Sequence, residues 1–254
     1  MSERPGDLRS VEAKYEARAA LDPLRAVLDA GDPDNRKNAF VDYLERRCLA
    51  RALGGARLPV VVDLGCGVGR FFPLLAPRCH RLLGIDVTEA LLRVARTAGA
   101  GGAAGLIRGS ATGIPLRDGT ADLVLCCNVL IHVVEEDGLA SVASEVRRIL
   151  RPGGRFVAIE HISPSAVSER REGIVYRSRS DFRGAFTLAG LSILEDRPVR
   201  KVPSRVIHWV RLGRLPRPLW AFGAALESLL APRGSEAPSY RDHLFVMERS
   251  RSAV

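Results

Sequence analysis

From residue 58 onward, apolar residues arrive in short runs that stop at glycine or at a carboxylate. Leu58–Leu64 (LPVVVDL) is the first run, Arg81–Asp86 (RLLGID) the second and Ala104–Gly109 (AGLIRG) a weaker third. Ala121–Leu130 (ADLVLCCNVL) and Gly154–Glu160 (GRFVAIE) are the fourth and fifth. Unbroken apolar strands are expected where helices cover both faces of a parallel sheet. Helical spacing fills the gaps. Thr88 stands as a cap before Leu91, Leu92 and Ala95, and Leu139, Val142, Ala143, Val146, Ile149 and Leu150 line one helix face. That helix is predicted to end at Arg151-Pro152-Gly153-Gly154, where proline cannot continue it and glycine supplies the turn. Strand and helix in alternation predict a doubly wound α/β sheet.

The two ends depart from this rhythm. After a helix over Ser180–Leu188, strands are predicted over Leu191–Val199 and His243–Arg249. They bring the total to seven and place an antiparallel edge strand on a mostly parallel sheet. Between them, residues 200–238 contain Pro203, Pro216, Pro218, Pro232 and Pro238 and read as an insert acting as a lid or binding element. Upstream, residues 1–57 read as a helical extension packing on a domain formed by residues 58–254. Within it Phe40, Tyr43, Leu44, Cys48 and Leu49 recur at helical spacing between an N-cap at Asp34 and a stop at Gly54-Gly55.

Composition narrows the class. The 254 residues are 46% hydrophobic and 26% charged, which is ordinary globular usage. No apolar run reaches the roughly 20 residues of a membrane-spanning helix. The charged N-terminus lacks the apolar core of a secretory signal, so a soluble cytoplasmic protein is expected. Five cysteines without a C-x-x-C pair make a disulfide framework or structural zinc site a poor fit, and no metal site is predicted. Cys126 and Cys127 read as small buried hydrophobes. The net charge of +9 is uneven: residues 161–254 carry 16 basic and 9 acidic side chains. An anionic partner is therefore expected to meet that third of the chain.

The densest local signal follows the first strand. Asp63 leads into Gly65-Cys66-Gly67-Val68-Gly69, a turn in which missing Cβ atoms let backbone approach a ligand. A helix starting near Arg70 is expected to aim its free N–H groups at that ligand. Dinucleotide binders need G-x-G-x-x-G to make room for a pyrophosphate. Here the glycines fall as G-x-G-x-G. Asp86 ends the second strand, where an acidic side chain can accept both ribose hydroxyls.

This G-x-G-x-G turn, with Asp63 before it, resembles the first motif of class I S-adenosylmethionine-dependent methyltransferases of the methyltransferase type 11-like kind. The resemblance covers residues 58–160. It extends to Ile107–Asp122, which aligns with a block reading G-D-A then L-P-F, and to the Pro152-Gly153-Gly154 turn. It implies a Rossmann-like fold and S-adenosyl-L-methionine as cofactor. The implied cofactor contacts are Asp63, Gly65, Cys66, Gly67 and Gly69 toward the amino-acid end, and Asp86 and Val87 toward the ribose. Ser110 and Ala111 stand toward the adenine and Asn128 beside the methionine part. Ser110 departs from the family's aspartate at this place, although a hydroxyl can still accept a hydrogen bond.

Methyl transfer needs an aligned nucleophile and, for an alcohol or a protonated amine, a base. His132 follows the fourth strand and His161 the fifth, so both are candidates to deprotonate or orient the acceptor. Arg200, Arg205, Arg211, Arg214 and Arg217 are interleaved with Trp209, Leu212, Leu219, Trp220 and Phe222. That mixture suits an anionic substrate, a membrane surface in peripheral contact, or nucleic acid. No RNA-binding module is recognisable. The acceptor expected is therefore an O or N atom of a small or lipid-linked, anionic molecule from a biosynthetic route. An RNA methyltransferase, a non-catalytic cofactor-binding module and a nicotinamide-dependent oxidoreductase are the alternatives.

Overall fold

The computed structural model describes residues 8–97, 104–165, 169–171, 174–201, 204–230 and 241–251. Strands β1 (Leu58–Leu64), β2 (Cys79–Asp86), β3 (Ala104–Arg108), β4 (Ala121–Cys127) and β5 (Leu150–Ile162) run parallel. Among the elements that follow are the short pair β6 (Glu169–Arg171) and β7 (Ile174–Tyr176), then β8 (Leu191–Lys201) and β9 (Arg241–Arg249). The main sheet has seven strands in the order β3-β2-β1-β4-β5-β9-β8. β9 is antiparallel to both of its neighbours, so the reversed strand lies one place inside the edge. The chain reverses strand order between β1 and β4, and open α/β sheets bind ligands beyond the strand C-termini at such a point.

Helices cover both faces. On one, α6 (Gly138–Ile149) and α7 (Arg179–Leu188) pack Val142, Val146, Phe182 and Phe186 against Phe156 and Phe245. Phe182 and Phe245 stack with centroids 4.2 Å apart. On the other lie α3 (Arg36–Leu53), α4 (Phe72–Leu75) and α5 (Glu89–Thr97), contributing Leu49, Phe72, Leu75 and Leu92 to a second cluster with Val61, Val157 and Leu244. The alternation of Phe156 to one cluster and Val157 to the other is the two-sided burial that the unbroken apolar runs imply.

Upstream of α3 come α1 (Leu8–Arg18) and α2 (Pro23–Val27). The N-cap of α3 is Asn35 rather than Asp34. Asn35 sits at φ 55 with no side-chain cap bond, and Asp32 supplies the acceptor, its Oδ2 taking the Asn38 N–H at 2.9 Å. The stop at Gly54 is observed, with φ 68.

Two expectations change in substance. Within residues 200–238 the described part is helical: α8 (Arg205–Arg211) and α9 (Trp220–Leu230) bury Val206, Ile207, Val210 and Ala224 on Phe40, Val41 and Leu44 of α3. Pro216 and Pro218 fall at and just inside a 3-10 turn between these helices. Pro203, Pro232 and Pro238 lie outside the described residues. The helix expected from Arg70 begins at Phe72 and lasts four residues before Ala76–Arg78 tightens into a 3-10 turn. Pro73 and Pro77 lack the N–H that a longer ladder needs.

Candidate cofactor pocket and acceptor chamber

Asp63 is the penultimate residue of β1, and beyond Leu64 the chain turns through Gly65 at φ +73 and Gly67 at φ +52. The Gly65 and Cys66 N–H groups both donate to the Ile85 carbonyl, at 2.7 and 3.0 Å, which ties the turn to β2. A Cβ on Gly65 would stand 2.2 Å from Val129 Cγ2, so a side chain is excluded there on contact as well as on backbone angle. Asp86 locks the arrangement. Its Oδ2 accepts from Gly67 N at 2.8 Å and its Oδ1 from Thr88 N at 2.9 Å. The carboxylate thus starts α5 and holds the glycine turn at once, and each oxygen keeps a lone pair for a further donor.

The pocket above this turn is walled by Gly65, Cys66, Gly67, Asp86, Val87, Ala111 and Asn128, all expected from the sequence. Three expected residues stand off the wall. Asp63 lies beneath it, buried. Gly69 closes the turn through its N–H to Cys66 O at 2.9 Å and packs on the Phe72 ring. Ser110 is engaged locally: its Oγ lies 2.8 Å from Thr112 Oγ1 and accepts the Thr112 N–H at 3.2 Å. The helix N-terminus expected at the ligand is not what meets it, because α4 is a single turn whose first N–H, that of Phe72, is used by Gly69 O at 3.0 Å.

Other walls come from residues that carry no sequence signal for this role. Tyr15 of α1 reaches over the pocket, and its hydroxyl lies 2.9 Å from His132 Nε2. Glu16 of α1 accepts from Ala90 N at 3.1 Å, and Glu12 pairs with Arg108, so α1 is strapped to the rim. Glu45 of α3 is fully buried. It receives Arg70 Nη1 at 2.5 Å and Asn128 Nδ2 at 2.9 Å. Arg70 also lies over the Phe71 ring at 4.0 Å.

Among the buried acceptors without a hydrogen-bond partner are two close to this turn, Asp63 Oδ2 and Asn128 Oδ1. An orphaned buried oxygen beside a glycine turn fits the ammonium of an amino-acid tail, and Asp86 fits a vicinal diol. Burial pushes the Asp63 carboxyl up to about 7, with Arg70 opposing and Asp86 adding to the rise. The sign follows. A raised carboxyl pKa favours the empty fold below the unfolded value of about 4, and that contribution is lost as pH rises through 7. A bound ammonium favours the ionised form. Affinity for S-adenosylhomocysteine is therefore expected to rise about tenfold per pH unit below 7 and to level off above it. Titration calorimetry in buffers of different ionisation enthalpy should show proton release, and Asp63→Asn should flatten the slope. A wild-type profile already flat between pH 5.5 and 7.5 would refute this role.

A second cavity of about 260 Å³ adjoins the first. Tyr15, Val27, Asn128 and His132 line both. Its other walls include Lys14, Arg18, Lys37, His161, Tyr176 and Arg200. Lys37 is paired with Asp29 at 2.6 Å, whereas Lys14 and Arg18 form no ion pair among the described residues. Burial, and then Arg18, lower the Lys14 pKa. Burial, reinforced by Lys14, Arg18 and His161, pushes the His132 pKa down to about 4, so His132 is neutral at pH 7.

His161 belongs to a row of three side chains across the sheet. His161 of β5 pairs in register with Asp242 of β9, which pairs with Arg200 of β8. His161 Nδ1 lies 2.5 Å from Asp242 Oδ1, and Arg200 Nε meets Asp242 Oδ2. Asp242 is fully buried. Burial acts to raise its pKa, but Arg200 and His161 outweigh it and hold the carboxyl below its usual range. Both candidate histidines therefore reach the chamber. His243 is buried against Asp196 instead.

The doubly wound sheet with its glycine turn and terminal carboxylate defines a nucleoside-binding α/β domain. Residues 62–158 match the family model described as "Methyltransferase domain", and the chain carries a class I S-adenosylmethionine-dependent methyltransferase domain. Demethylmenaquinone methyltransferase of Clavibacter sepedonicus is 30% identical over 174 residues, 67% of this chain and 64% of that protein. Malonyl-(acyl-carrier protein) O-methyltransferase of Methylococcus capsulatus is 38% identical over 100 residues, 38% and 35% of the two chains. The chain thus spans under two thirds of the length of either relative. Among solved structures, geranyl diphosphate C-methyltransferase from Streptomyces coelicolor, in complex with Mg2+, geranyl diphosphate and S-adenosyl-L-homocysteine, superposes with a TM-score of 0.61 at 18% identity, over 86% of each chain. At that identity the likeness shows the fold.

Proposed function

We propose that the chain transfers the methyl group of S-adenosylmethionine to an oxygen or nitrogen atom of a small or lipid-linked anionic acceptor held in the second chamber. One observation carries this reading: the nucleoside pocket and the cationic chamber share the walls Asn128 and His132, so two ligands would meet there. The cofactor, when bound, supplies an electrophilic methyl on a sulfonium. Lys14 and Arg18 meet the acceptor's negative group. In this reading the proton of His161 sits on Nδ1, 2.5 Å from Asp242 Oδ1, and the Nε2 lone pair takes the acceptor proton. The freed electron pair forms the new bond to the methyl carbon as the carbon–sulfur bond breaks. His132 stays neutral and its Nε2 shares a hydrogen bond with the Tyr15 hydroxyl, which makes it a positioning residue.

Two of the similar proteins support the size and chemistry of the acceptor rather than the atom methylated. One is named a demethylmenaquinone methyltransferase, and the other, a C-methyltransferase, holds geranyl diphosphate. The test uses S-adenosylmethionine labelled in its methyl group and a panel of hydroxylated or aminated acceptors bearing a carboxylate, a diphosphate or a prenyl tail. Label is expected in acceptors that carry an anionic group, and in neutral analogues at a rate lower by tenfold or more. Label in neutral analogues alone sinks the anionic reading. No label in any acceptor, with S-adenosylhomocysteine still bound, favours a non-catalytic module.

A further inference from the structure

Between Ser204 and Leu226 the chain carries arginine at 205, 211, 214 and 217 and no aspartate or glutamate. The two helices of this stretch are amphipathic in an unusual sense, since both faces hold large apolar side chains. The inner face covers α3. On the outer face Trp209 is 43% exposed, Leu212 49%, Leu219 50%, Phe222 65% and Leu229 67%. Phe222 and Leu229, seven residues apart, share one side of α9, on the side away from Ala224, and Leu219 precedes them in the 3-10 turn before the helix. Trp209 and Leu212 repeat the pattern on α8 and its C-cap. These five are most of the large apolar side chains exposed among the described residues.

A cluster of this kind marks a surface that meets something apolar. The charge decides what. The arginines at 205, 211, 214 and 217 are all exposed and alternate with these apolar residues along the chain. A second copy of the same face would set arginine against arginine. An anionic bilayer answers both features, since its headgroups meet the guanidinium groups and its acyl boundary takes the Trp, Phe and Leu side chains. No helix among the described residues is long and apolar enough to cross a membrane, so such contact would be made from one side.

We propose that the outer face of α8 and α9 docks on an anionic lipid bilayer. Trp209, Leu219, Phe222 and Leu229 enter the headgroup–acyl boundary, and Arg205, Arg211, Arg214 and Arg217 lie at the phosphate level. Each arginine near such a surface raises the partition coefficient about fivefold at low salt. Only α3 separates this face from the acceptor chamber: Val41 packs beneath α8 and also lines that cavity. A bilayer-docked chain would thus hold its chamber at the membrane surface.

The surface stands independently of the methyl-transfer reading, because vesicle binding is measured without cofactor or acceptor. The experiment is co-sedimentation of the full chain with vesicles of phosphatidylglycerol and phosphatidylcholine, or of phosphatidylcholine alone. Binding to the anionic vesicles is expected to be at least tenfold stronger and to weaken with salt. Trp209→Ser/Phe222→Ser and Arg211→Glu/Arg214→Glu are each expected to lose at least tenfold. Both pairs should keep the wild-type circular dichroism and S-adenosylhomocysteine affinity, since none of the four residues lines the cofactor pocket. Absence of wild-type sedimentation, equal binding to both vesicle types, or binding retained by either pair overturns the proposal. So does a self-association that Trp209→Ser/Phe222→Ser abolishes while no vesicle is bound, or an RNA complex that excludes the vesicles.

Discussion

Replacing Asp86 with alanine is expected to weaken S-adenosylhomocysteine binding by two orders of magnitude or more and to destabilise the empty protein as well. The reason is that one carboxylate serves two backbone donors and, on the proposed reading, a ligand diol. Removing it strands the Gly67 and Thr88 N–H groups, which it accepts at 2.8 and 2.9 Å in a position only 9% exposed. Each stranded buried donor costs about 1–3 kcal/mol. The loss of two hydrogen bonds from ligand hydroxyls to a charged acceptor accounts for about 3–6 kcal/mol more of binding. Asp86→Asn should stand between wild type and alanine. Its amide keeps one oxygen but turns an N–H group toward one of the two donors. Urea unfolding and titration calorimetry on the same samples separate the two losses. Near-native affinity in either variant would remove Asp86 from the ribose site.

How far the sequence reaches is clearest where one residue does two things. β1 runs over the predicted Leu58–Leu64, because a β-branched run buried on both faces and ended by glycine leaves one solution. β4 stops at Cys127, short of the predicted Leu130, because Asn128 turns to φ +57 and begins the loop that carries His132. β5 starts at Leu150, before the Pro152-Gly153 turn, and an irregularity in its pairing with β4 absorbs the extra residues. Residues 200–238, with their five prolines, read as a lid or binding insert, yet the helices α8 and α9 within them gain their stability from α3, far away in sequence. The glycine turn, Asp86 and Asn128 were legible because their chemistry is local to the strand ends. Tyr15, Glu45 and Asp242 were not, since their roles arise from contacts 117, 83 and 81 residues away, with His132, Asn128 and His161. Asp242 was hidden further by His243, the residue that attracts notice in β9 but pairs with Asp196.

Asp242→Asn is expected to slow methyl transfer to an alcohol acceptor by about 10²- to 10⁴-fold while S-adenosylhomocysteine affinity stays within about twofold. The asparagine amide would donate toward His161 Nδ1 and drive the ring proton to Nε2. On the proposed reading, the nitrogen assigned to the acceptor would then be a donor with no lone pair to take a proton. Asp242 is fully buried between His161 and Arg200, so this variant also leaves the guanidinium without its counter-charge and lowers stability. His161→Gln supplies the companion measurement, because it removes the base and leaves the Asp242–Arg200 pair intact. If the two residues act as one unit, the double variant will be no slower than the slower single variant. The acceptor provides a second discriminator. An acceptor whose reacting oxygen is already ionised needs no base, so its rate should be nearly the same in all three variants. A general loss of packing would slow both kinds of acceptor alike, and that outcome, or multiplicative losses in the double variant, would reduce the His161–Asp242–Arg200 row to a structural tie between strands.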